Sequence, residues 1–390
     1  MQRRLVEHLR EPRSSDLGPG CARIAASTYT DPRRFEAERS TIFGGWPLLA
    51  GFSGELPEPG DRLLFDAAGP PILVVRGADR VVRAFLNLCP HRGSRLVETC
   101  ERSRRLTCPF HAWSFDLEGR LASLPHAAAF EDLDRDGIRL VELPAAELAG
   151  MIFVRTRPGP PIDAASHLGD AAPLLAALDL GSLETVCSNR LDLESNWKFA
   201  LDTFCETYHV PALHRDSLSR NLVPHVTLFD HYGLHHRYSG PGLDFEALLE
   251  RPESEWPEGG YQAVHYLFPN TTIAYTHAFD GHTPVVSMFR IFPGDEVGRC
   301  VTLGSTHRRS DAPAASDEEI ARMHAIVIDI VVNEDYRIAR EAWRSLQSAP
   351  PDFELVMGRT EPLLQAYHRD LADAIGLPLP PTGGPGPERI

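Results

Sequence analysis

The 390-residue sequence lacks any apolar run long enough to cross a membrane, and no hydrophobic signal core follows its basic N-terminus. Positive charge is scarce: 39 Lys and Arg stand against 54 Asp and Glu, which gives a net charge of −15. This acidic balance argues against nucleic acid as a partner. A Gly-rich nucleotide-binding turn is also missing, so the sequence predicts no dinucleotide-binding site of its own.

Cysteine usage excludes a disulfide framework. Seven cysteines cannot all pair, and five of them are scattered, as in proteins of a reducing cytosol. The chain is long enough for two domains with a sizeable core. We therefore expect a soluble, cytoplasmic, two-domain protein that binds neither membrane nor nucleic acid. The five scattered cysteines are Cys21, Cys100, Cys187, Cys205 and Cys300.

The other two cysteines each have a histidine at short spacing. Cys89 and His91 form a C-x-H motif, and after a spacer of sixteen residues Cys108 and His111 form C-x-x-H. A proline follows each cysteine and stiffens its loop. In a Rieske [2Fe–2S] cluster one iron binds two Cys and the other binds two His. The interleaved order therefore predicts two loops that face each other and hold such a cluster.

A structural Cys2His2 zinc site uses the same ligand types and is the alternative. Zinc motifs usually group Cys with Cys and His with His, whereas here the two types alternate. Cys100, inside the spacer, could substitute as a ligand, but no histidine is paired with it at the right offset. We therefore expect the cluster ligands to be Cys89, His91, Cys108 and His111.

A second group of candidate ligands follows Asn196, where a helix is expected to begin. On that helix Asp202, Glu206 and His209 would share one face beside an apolar stripe. We expect Pro211 to disfavour helix at the preceding residue and to turn the chain.

That turn would bring His214 back towards His209. Two histidines and one carboxylate with open positions form the facial triad of non-haem Fe(II) oxygenases. The triad needs a distant acid, and Asp335 is the best candidate because its helical neighbours are apolar. An acid on such a face is costly unless it is paired or binds a metal, so a buried salt bridge is the alternative. Glu334 is expected to be more exposed. The apolar neighbours of Asp335 are Ile328, Val331, Ile338 and Ala342.

The stretches 87–93 and 108–113 resemble the two cluster loops of the Rieske oxygenase family, in particular the alpha subunit of ring-hydroxylating oxygenases. Ser94 and Phe110 occupy the places where respiratory Rieske proteins have an extra cysteine, which favours the oxygenase branch. The resemblance implies a mononuclear Fe(II) bound by His209, His214 and Asp335. It also implies electrons from NAD(P)H through a separate reductase or ferredoxin, a small-molecule substrate with O2, and a head-to-tail homotrimer.

Two acids depart from the commonest family pattern. In most members the residue at the position of Glu206 is Asp, which bridges a cluster histidine of the neighbouring subunit to an iron histidine. A glutamate there resembles the carnitine and other quaternary-ammonium oxygenases. The position of Asp202 is commonly Asn in naphthalene-type enzymes, and a carboxylate beside the iron would suit a polar or cationic substrate. Glu206 and Asp202 are thus candidate catalytic residues, and a structural ion pair is the alternative for Glu206.

The predicted fold class is α+β, with an N-terminal all-β Rieske domain and a C-terminal antiparallel sheet with covering helices. A helix is expected to begin with Asp31 as its N-cap and Pro32 in its first turn. Strands are expected at 62–65, 183–193 and 266–275, and a long helix at 316–345. The predicted domains are an arm and helix at 1–45 packing on the catalytic domain, the Rieske domain at 46–157, the catalytic domain at 162–378 and a flexible tail at 379–390.

The sequence therefore predicts a terminal oxygenase that hydroxylates or demethylates an aromatic compound or a quaternary amine. The alternative is a Rieske electron-transfer protein without an active mononuclear iron site.

Overall fold

The computed structural model describes residues 1–10, 14–67, 69–256, 261–279, 283–309 and 315–379. The chain divides into two units. We call Phe43–Glu184 the β unit, and Met1–Ile42 with Thr185–Arg308 and the C-terminal helices the α+β unit. This division places residues 162–184 with the β unit, so the predicted boundary near 158–161 stays a prediction. Residues 380–390 of the predicted tail lie outside the described residues.

The N-terminal segment contains more helix than the expected polar arm. Its first helix is amphipathic and buries Leu5, Val6 and Leu9 against apolar residues of the α+β unit. The predicted N-cap is confirmed, because the Asp31 side chain accepts a hydrogen bond from the backbone N–H of Arg33 (2.9 Å). The elements are α1 (Gln2–Arg10), β1 (Ala22–Ala25), α2 (Ser27–Thr30) and α3 (Pro32–Ala37), which continues as the π-helical segment Glu38–Phe43.

The β unit consists of short antiparallel strands, as predicted. The strands are β2 (Leu48–Phe52), β3 (Arg62–Phe65), β4 (Ile72–Arg76), β5 (Val82–Leu86), β6 (Leu106–Thr107), β7 (Ser114–Phe115), β8 (Leu121–Ser123), β9 (Glu142–Leu143), β10 (Ala145–Leu148) and β11 (Met151–Val154). They form three small sheets with the strand orders β3-β4-β5-β9, β6-β7-β8 and β10-β11-β2. One predicted cluster loop precedes β6 and the other joins β6 to β7. The unit also contains the helices α4 (Ala164–Leu168) and α5 (Ala172–Ala176).

The α+β unit is built on a seven-stranded sheet with the order β12-β18-β17-β16-β15-β14-β13. Strands β13 to β18 pair with their neighbours in antiparallel register. The strands are β12 (Leu183–Leu193), β13 (Leu228–Tyr232), β14 (His235–Pro241), β15 (Tyr261–Leu267), β16 (Thr271–His277), β17 (Pro284–Pro293) and β18 (Cys300–Arg309), and β19 (Glu354–Met357) pairs with β1. The helices are α6 (Trp197–Asp202), α7 (Val210–Leu213), α8 (Asp317–Ile330), α9 (Tyr336–Leu346) and α10 (Pro362–Ile375). The predicted fold class is thus confirmed.

Two predicted elements are interrupted. The strand expected at 266–275 is broken at Phe268–Asn270, where a turn containing a cis Phe268–Pro269 peptide separates β15 from β16. The helix expected at 316–345 starts where predicted, with the Ser316 hydroxyl accepting the backbone N–H of Glu319 (3.2 Å). A π-helical segment, Val331–Asp335, then divides it into α8 and α9. Across the described ranges, no helix combines the length and the apolar character needed to cross a bilayer.

The only lysine of the sequence is buried in an ion pair. Lys198 Nζ donates to both carboxylate oxygens of Glu38 (2.8 and 2.6 Å), and the Trp197 indole N–H donates to the same carboxylate (2.9 Å). Burial lowers the pKa of Lys198, and the Glu38 carboxylate opposes that shift. Glu38 also pairs with the buried Arg34 (3.5 Å), so the severe change is removal of Glu38, which would leave Lys198 as an uncompensated buried charge at a cost of about 3–5 kcal/mol. This pair therefore ties α6, which leads into the predicted triad, to the N-terminal segment.

Two candidate metal centres

The two predicted cluster loops have the same pattern of backbone hydrogen bonds. In the first, the Cys89 N–H donates to the carbonyl of Ser94 (2.8 Å) and the Gly93 N–H donates back to the Cys89 carbonyl (2.9 Å). In the second, Cys108 donates to the carbonyl five residues on (2.8 Å) and Ala112 donates back to the Cys108 carbonyl (3.0 Å). Gly93 and Ala112, each four residues after the cysteine of its loop, both have positive φ, 72° and 56°. Each cysteine thus begins an identical tight loop.

Among the four candidate ligands the two cysteines are more buried than the two histidines. Cys89 and Cys108 are each 2% exposed and lie within hydrogen-bonding reach of each other, and burial is the largest cause of the raised pKa of Cys89. The ring centroids of His91 and His111 are 4.6 Å apart at the outer side of the loops, where His111 is exposed. The His91 ring stacks on Trp113 at 4.7 Å. Thiols inside and imidazoles outside match a cluster whose two irons have different ligands.

The pairing of the ligand types favours the cluster over the zinc alternative. A single zinc ion would require four ligand atoms around one point, at about 2.0–2.3 Å from the metal. The structure pairs the two thiols with each other and the two imidazoles with each other. This pairing matches a two-iron cluster, in which one iron binds the two Cys and the other binds the two His.

Replacing Cys108 by serine is expected to bleach the cluster, because the buried hydroxyl is a poor ligand for iron. The visible absorption and the EPR signal of the reduced cluster should fall to about the level of the apoprotein, while the mononuclear iron is retained. Cys100→Ser is the matched control: Cys100 is exposed in the same spacer, and its loss should leave the spectrum unchanged. A full cluster spectrum in Cys108→Ser would contradict the assignment.

The segment before the second centre is not the continuous helix expected from the sequence. Helix α6 begins as predicted, with the Asn196 side chain accepting the backbone N–H of Lys198 (3.0 Å), but it ends at Asp202. Turns follow, and the Glu206 carboxylate then accepts the backbone N–H of His209 (3.1 Å) at the start of α7. The expectation for Pro211 was wrong, because it lies in the first turn of α7, where its missing N–H is not needed.

Three side chains from two parts of the chain meet at the second centre. The Nε2 atoms of His209 and His214 are 3.2 Å apart. One carboxylate oxygen of Asp335, Oδ1, lies 3.2 Å from Nε2 of His214 and 3.5 Å from Nε2 of His209. Asp335 is 5% exposed, and His214 is also buried. The structure therefore brings together the three predicted iron ligands, and two histidines with one carboxylate fit the facial arrangement of a non-haem iron.

Two further carboxylates are hydrogen-bonded to the two imidazoles through Nδ1, the ring nitrogen that does not face Asp335. The Nδ1 atom of His209 is hydrogen-bonded to Glu206. The Nδ1 atom of His214 donates to Glu334 (2.7 Å), which also accepts from the Ser217 hydroxyl (2.8 Å). An Nδ1–H bonded to a carboxylate fixes the ring orientation and leaves Nε2 as the metal ligand. Both Nε2 atoms are consequently directed to the same point.

The protonation of the metal-free triad follows from these contacts. Burial alone would lower the pKa of His209, but hydrogen bonds to Asp335 and Glu206 outweigh it and raise the pKa to about 10. Burial raises the pKa of Asp335, and the hydrogen bonds to the two histidines reverse that and hold it below its usual value. A metal ligand must be deprotonated, so iron entering this site displaces a proton.

Glu334 was expected to be more exposed than Asp335, and this is confirmed, because 29% of its side chain is accessible against 7% for Asp335. On a regular helix Arg337 and Glu341, three and seven residues further on, would lie on the same side as Glu334. The π-helical segment Val331–Asp335 changes the register, and π-bulges are frequent at functional sites. Glu334 and Asp335 can then both contact His214. The exposure of Glu334 was thus predicted, but its contact with His214 was not.

Asp202 lies outside the triad. Its carboxylate accepts the hydroxyl of Tyr29 (2.6 Å) and that of Tyr367, and His368 Nε2 is 3.2 Å away. These contacts do not support a free carboxylate beside the iron. They indicate instead that Asp202 ties the end of α6 to α2 and α10.

Replacing Glu334 by alanine is expected to weaken iron binding by about 10- to 100-fold, because it removes the acceptor that orients the metal-bound His214. Iron content after dialysis against a graded chelator would measure this, with the cluster spectrum as an internal standard. Glu341→Ala, at an exposed acid on α9, is the control and should behave as the wild type. Equal iron retention in all three proteins would show that Glu334 does not position His214.

Comparisons with known proteins agree with both centres. Residues 47–142 match the Rieske [2Fe–2S] domain, and residues 180–377 match the catalytic domain of the ring-hydroxylating alpha subunit. The carnitine monooxygenase oxygenase subunit of Escherichia coli K12 is 30% identical over 265 residues, which are 65% of this chain and 67% of that protein.

Two further comparisons extend this result. The glycine betaine monooxygenase oxygenase subunit of Pseudomonas aeruginosa PAO1 is 33% identical over 194 residues, 49% of this chain and 44% of that protein. The crystal structure of a quaternary ammonium Rieske monooxygenase with L-carnitine superposes with a TM-score of 0.75 at 20% identity, covering 92% of this chain and 96% of that one. The chain therefore belongs to the family of ring-hydroxylating oxygenase alpha subunits and is a Rieske-type oxygenase with a [2Fe–2S] domain and a mononuclear-iron catalytic domain.

Proposed function

We propose that this chain is the terminal oxygenase of a system that oxidises a quaternary amine, with electrons supplied from NAD(P)H by a separate reductase or ferredoxin. The observation that carries the substrate class is Glu206, hydrogen-bonded to His209 where most of the family has Asp. The names of the carnitine and glycine betaine relatives support the same class.

The side chains around the triad suit a cationic substrate. Phe204, five residues before His209, packs on Phe289 with ring centroids 4.9 Å apart, and Tyr336, directly after Asp335, lies 6.4 Å from Phe204. Aromatic faces attract quaternary ammonium groups, worth about 0.5–2 kcal/mol per contact. The rings of Phe289 and Tyr336 are buried.

The protein's part in the reaction is to bind, orient and protect. When bound, the mononuclear iron supplies the activation of O2, and the cluster supplies electrons. His209, His214 and Asp335 would hold the iron, because their ligand atoms converge. Glu206 and Glu334 keep the imidazoles in the orientation that binds metal.

We further propose a head-to-tail homotrimer in which Glu206 of one subunit also meets a cluster histidine of the next. An exposed aromatic side chain adjoins each centre: Phe110, 53% exposed, precedes His111, and Tyr208, 65% exposed, precedes His209. Such side chains are enriched at the cores of protein interfaces. Sedimentation equilibrium of the holoprotein would determine the assembly. The cytoplasmic location expected from the cysteines stays a prediction.

A substrate screen tests the proposed function. The holoenzyme with a surrogate reductase would be offered a panel of quaternary amines and a panel of aromatic acids and hydrocarbons. Coupled consumption of NADH and O2 with product formation is expected only in the first panel. Coupling only in the second panel would reject the substrate class while retaining the oxygenase. Two irons per chain instead of three, without turnover, would favour the electron carrier.

A further inference from the structure

Polar side chains without partners gather on one face of the seven-stranded sheet. Both amide atoms of Asn189, the Nε2 atom of His324 and the hydroxyl of Thr272 are buried without a hydrogen-bond partner in the described part of the chain. Leaving such groups unpaired in a protein interior is unfavourable, so a cluster of them calls for an explanation. A ligand that supplies the missing hydrogen bonds is one.

The position of Asn189 is set by a glycine. A Cβ atom added to Gly304 would lie 2.5 Å from Asn189 Oδ1, 3.2 Å from Ile328 of α8 and 3.3 Å from the Phe289 ring. The Asn189 amide therefore covers Gly304 on the side of the sheet that faces α8. Any side chain at residue 304 would push the amide away.

His324 and Thr272 lie on the same face. His324, one turn before Ile328 on α8, is bonded through Nδ1 to the Thr306 hydroxyl (2.8 Å), which leaves Nε2 without a partner. In the strand register Thr272 is opposite Phe289, and Phe289 is opposite Gly304. Residues directly opposite each other in a sheet point to the same side. The unpaired groups thus lie on the face of the sheet that carries the Phe289 ring.

The Phe289 ring also contacts the segment that leads to the iron centre. Phe289 packs on Phe204, which lies five residues before His209. Ile328, close to Asn189 at Gly304, precedes Asp335 by seven residues, which is roughly 10 Å along a helix axis. An elongated molecule lying along Phe289 would extend from the side of the iron centre towards Asn189 and His324.

We propose that Asn189 and His324 bind the carboxylate of the substrate, at the end away from the carbon that is oxidised. The Asn189 amide offers two N–H donors. His324 Nε2 offers a third when its Nδ1 accepts the proton of Thr306. A carboxylate can accept all of them, and hydrogen bonds to an ionised acceptor are the stronger kind. The inference rests on the proposed oxygenase function and identifies one end of its substrate as anionic.

Matched probes distinguish this site from the iron end. The holoenzyme would be titrated calorimetrically with γ-butyrobetaine, its methyl ester and butyltrimethylammonium. All three carry the quaternary ammonium group, but only γ-butyrobetaine has a free carboxylate. A second pair, 4-phenylbutyrate and butylbenzene, lacks the cation. In the wild type the carboxylate member of each series is expected to bind about tenfold or more tightly, because a site built to hydrogen-bond rejects analogues that lack the group.

Asn189→Leu and His324→Leu should each remove that preference, and should change the affinity for the uncharged-end probes by less than about twofold. Asn189→Asp should reverse it, because it replaces the N–H donors with a like charge. Ser239→Ala is the control. The Ser239 hydroxyl is also buried without a hydrogen-bond partner in the described part of the chain, but the strand register places it on the face of the sheet opposite to Phe289. Iron content and the cluster spectrum would verify that each variant is intact.

The outcomes for the two proposals differ. A carboxylate preference that persists in the aromatic pair, without oxidation of any quaternary amine, would reject the proposed substrate class and keep the carboxylate site. Equal binding of the ester, an unchanged preference in Asn189→Leu, or no binding of any probe would overturn the site itself.

Discussion

Asp335→Ala is expected to lose the mononuclear iron and at least about 1,000-fold in turnover, while keeping the cluster. Asp335 supplies the only carboxylate oxygen that lies within 3.5 Å of both histidine Nε2 atoms among the described residues. Without it the site has two neutral ligands, too few for the facial triad. Iron analysis, cluster EPR and coupled O2 consumption would be measured on the same preparation. We expect the iron count to fall from three to two per chain.

Asp329→Ala is the matched control for this variant. Asp329 is an exposed acid at the end of α8 that accepts a hydrogen bond from the Asn333 side chain (2.7 Å), so its removal should leave iron and activity unchanged. The result that would contradict the triad is iron kept in Asp335→Ala and lost in Glu334→Ala. The ligand would then be the neighbouring acid on the π-helical segment.

Glu206→Gln is expected to keep both metal centres yet reduce cluster oxidation in a single turnover by about 100-fold or more. The amide oxygen of glutamine can still accept the Nδ1–H of His209, so the imidazole keeps its orientation. The charge and one of the two acceptor oxygens are lost, and with them the proposed bridge to the cluster histidine of the next subunit. Stopped-flow absorbance of the reduced cluster, mixed with substrate and O2, would measure this rate.

Glu206→Asp serves as the conservative comparison. It restores the charge with a shorter side chain, which is also the commoner residue of the family, so partial activity is expected. Near-normal single-turnover rates in Glu206→Gln would show that Glu206 is only a structural partner of His209 and takes no part in electron transfer. An enzyme that is active as a monomer would also exclude the bridge, because the bridge needs a second subunit.

Local sequence patterns predicted the regular parts of the fold. The strands at Arg62–Phe65 and Leu183–Leu193 have the predicted bounds, since β-rich runs between turn residues depend on little beyond their own sequence. The cluster motif could also be read directly, because it specifies ligand types at fixed spacing.

The second centre could be predicted only in part. Its ligand types were evident, but the backbone around them follows no regular period. Helix α6 ends seven residues before His209, and a π-helical segment carries Asp335. These irregularities satisfy contacts between segments more than 100 residues apart, such as His214 with Glu334, and a helical wheel contains no such information. Glu334 and Asn189 were therefore missed, because their roles depend on tertiary neighbours.

The buried Lys198 has a practical consequence for chemical labelling. No other residue of the sequence carries a side-chain primary amine, and this one is held by Glu38 at 1% side-chain exposure. Amine-reactive esters should therefore modify the folded protein only at its N-terminal amine, and a second adduct should appear by intact mass when denaturant opens the α+β unit. Two adducts under native conditions would show that the ion pair opens. Amine coupling consequently gives single-point attachment for binding measurements, and the second adduct reports unfolding without an engineered probe.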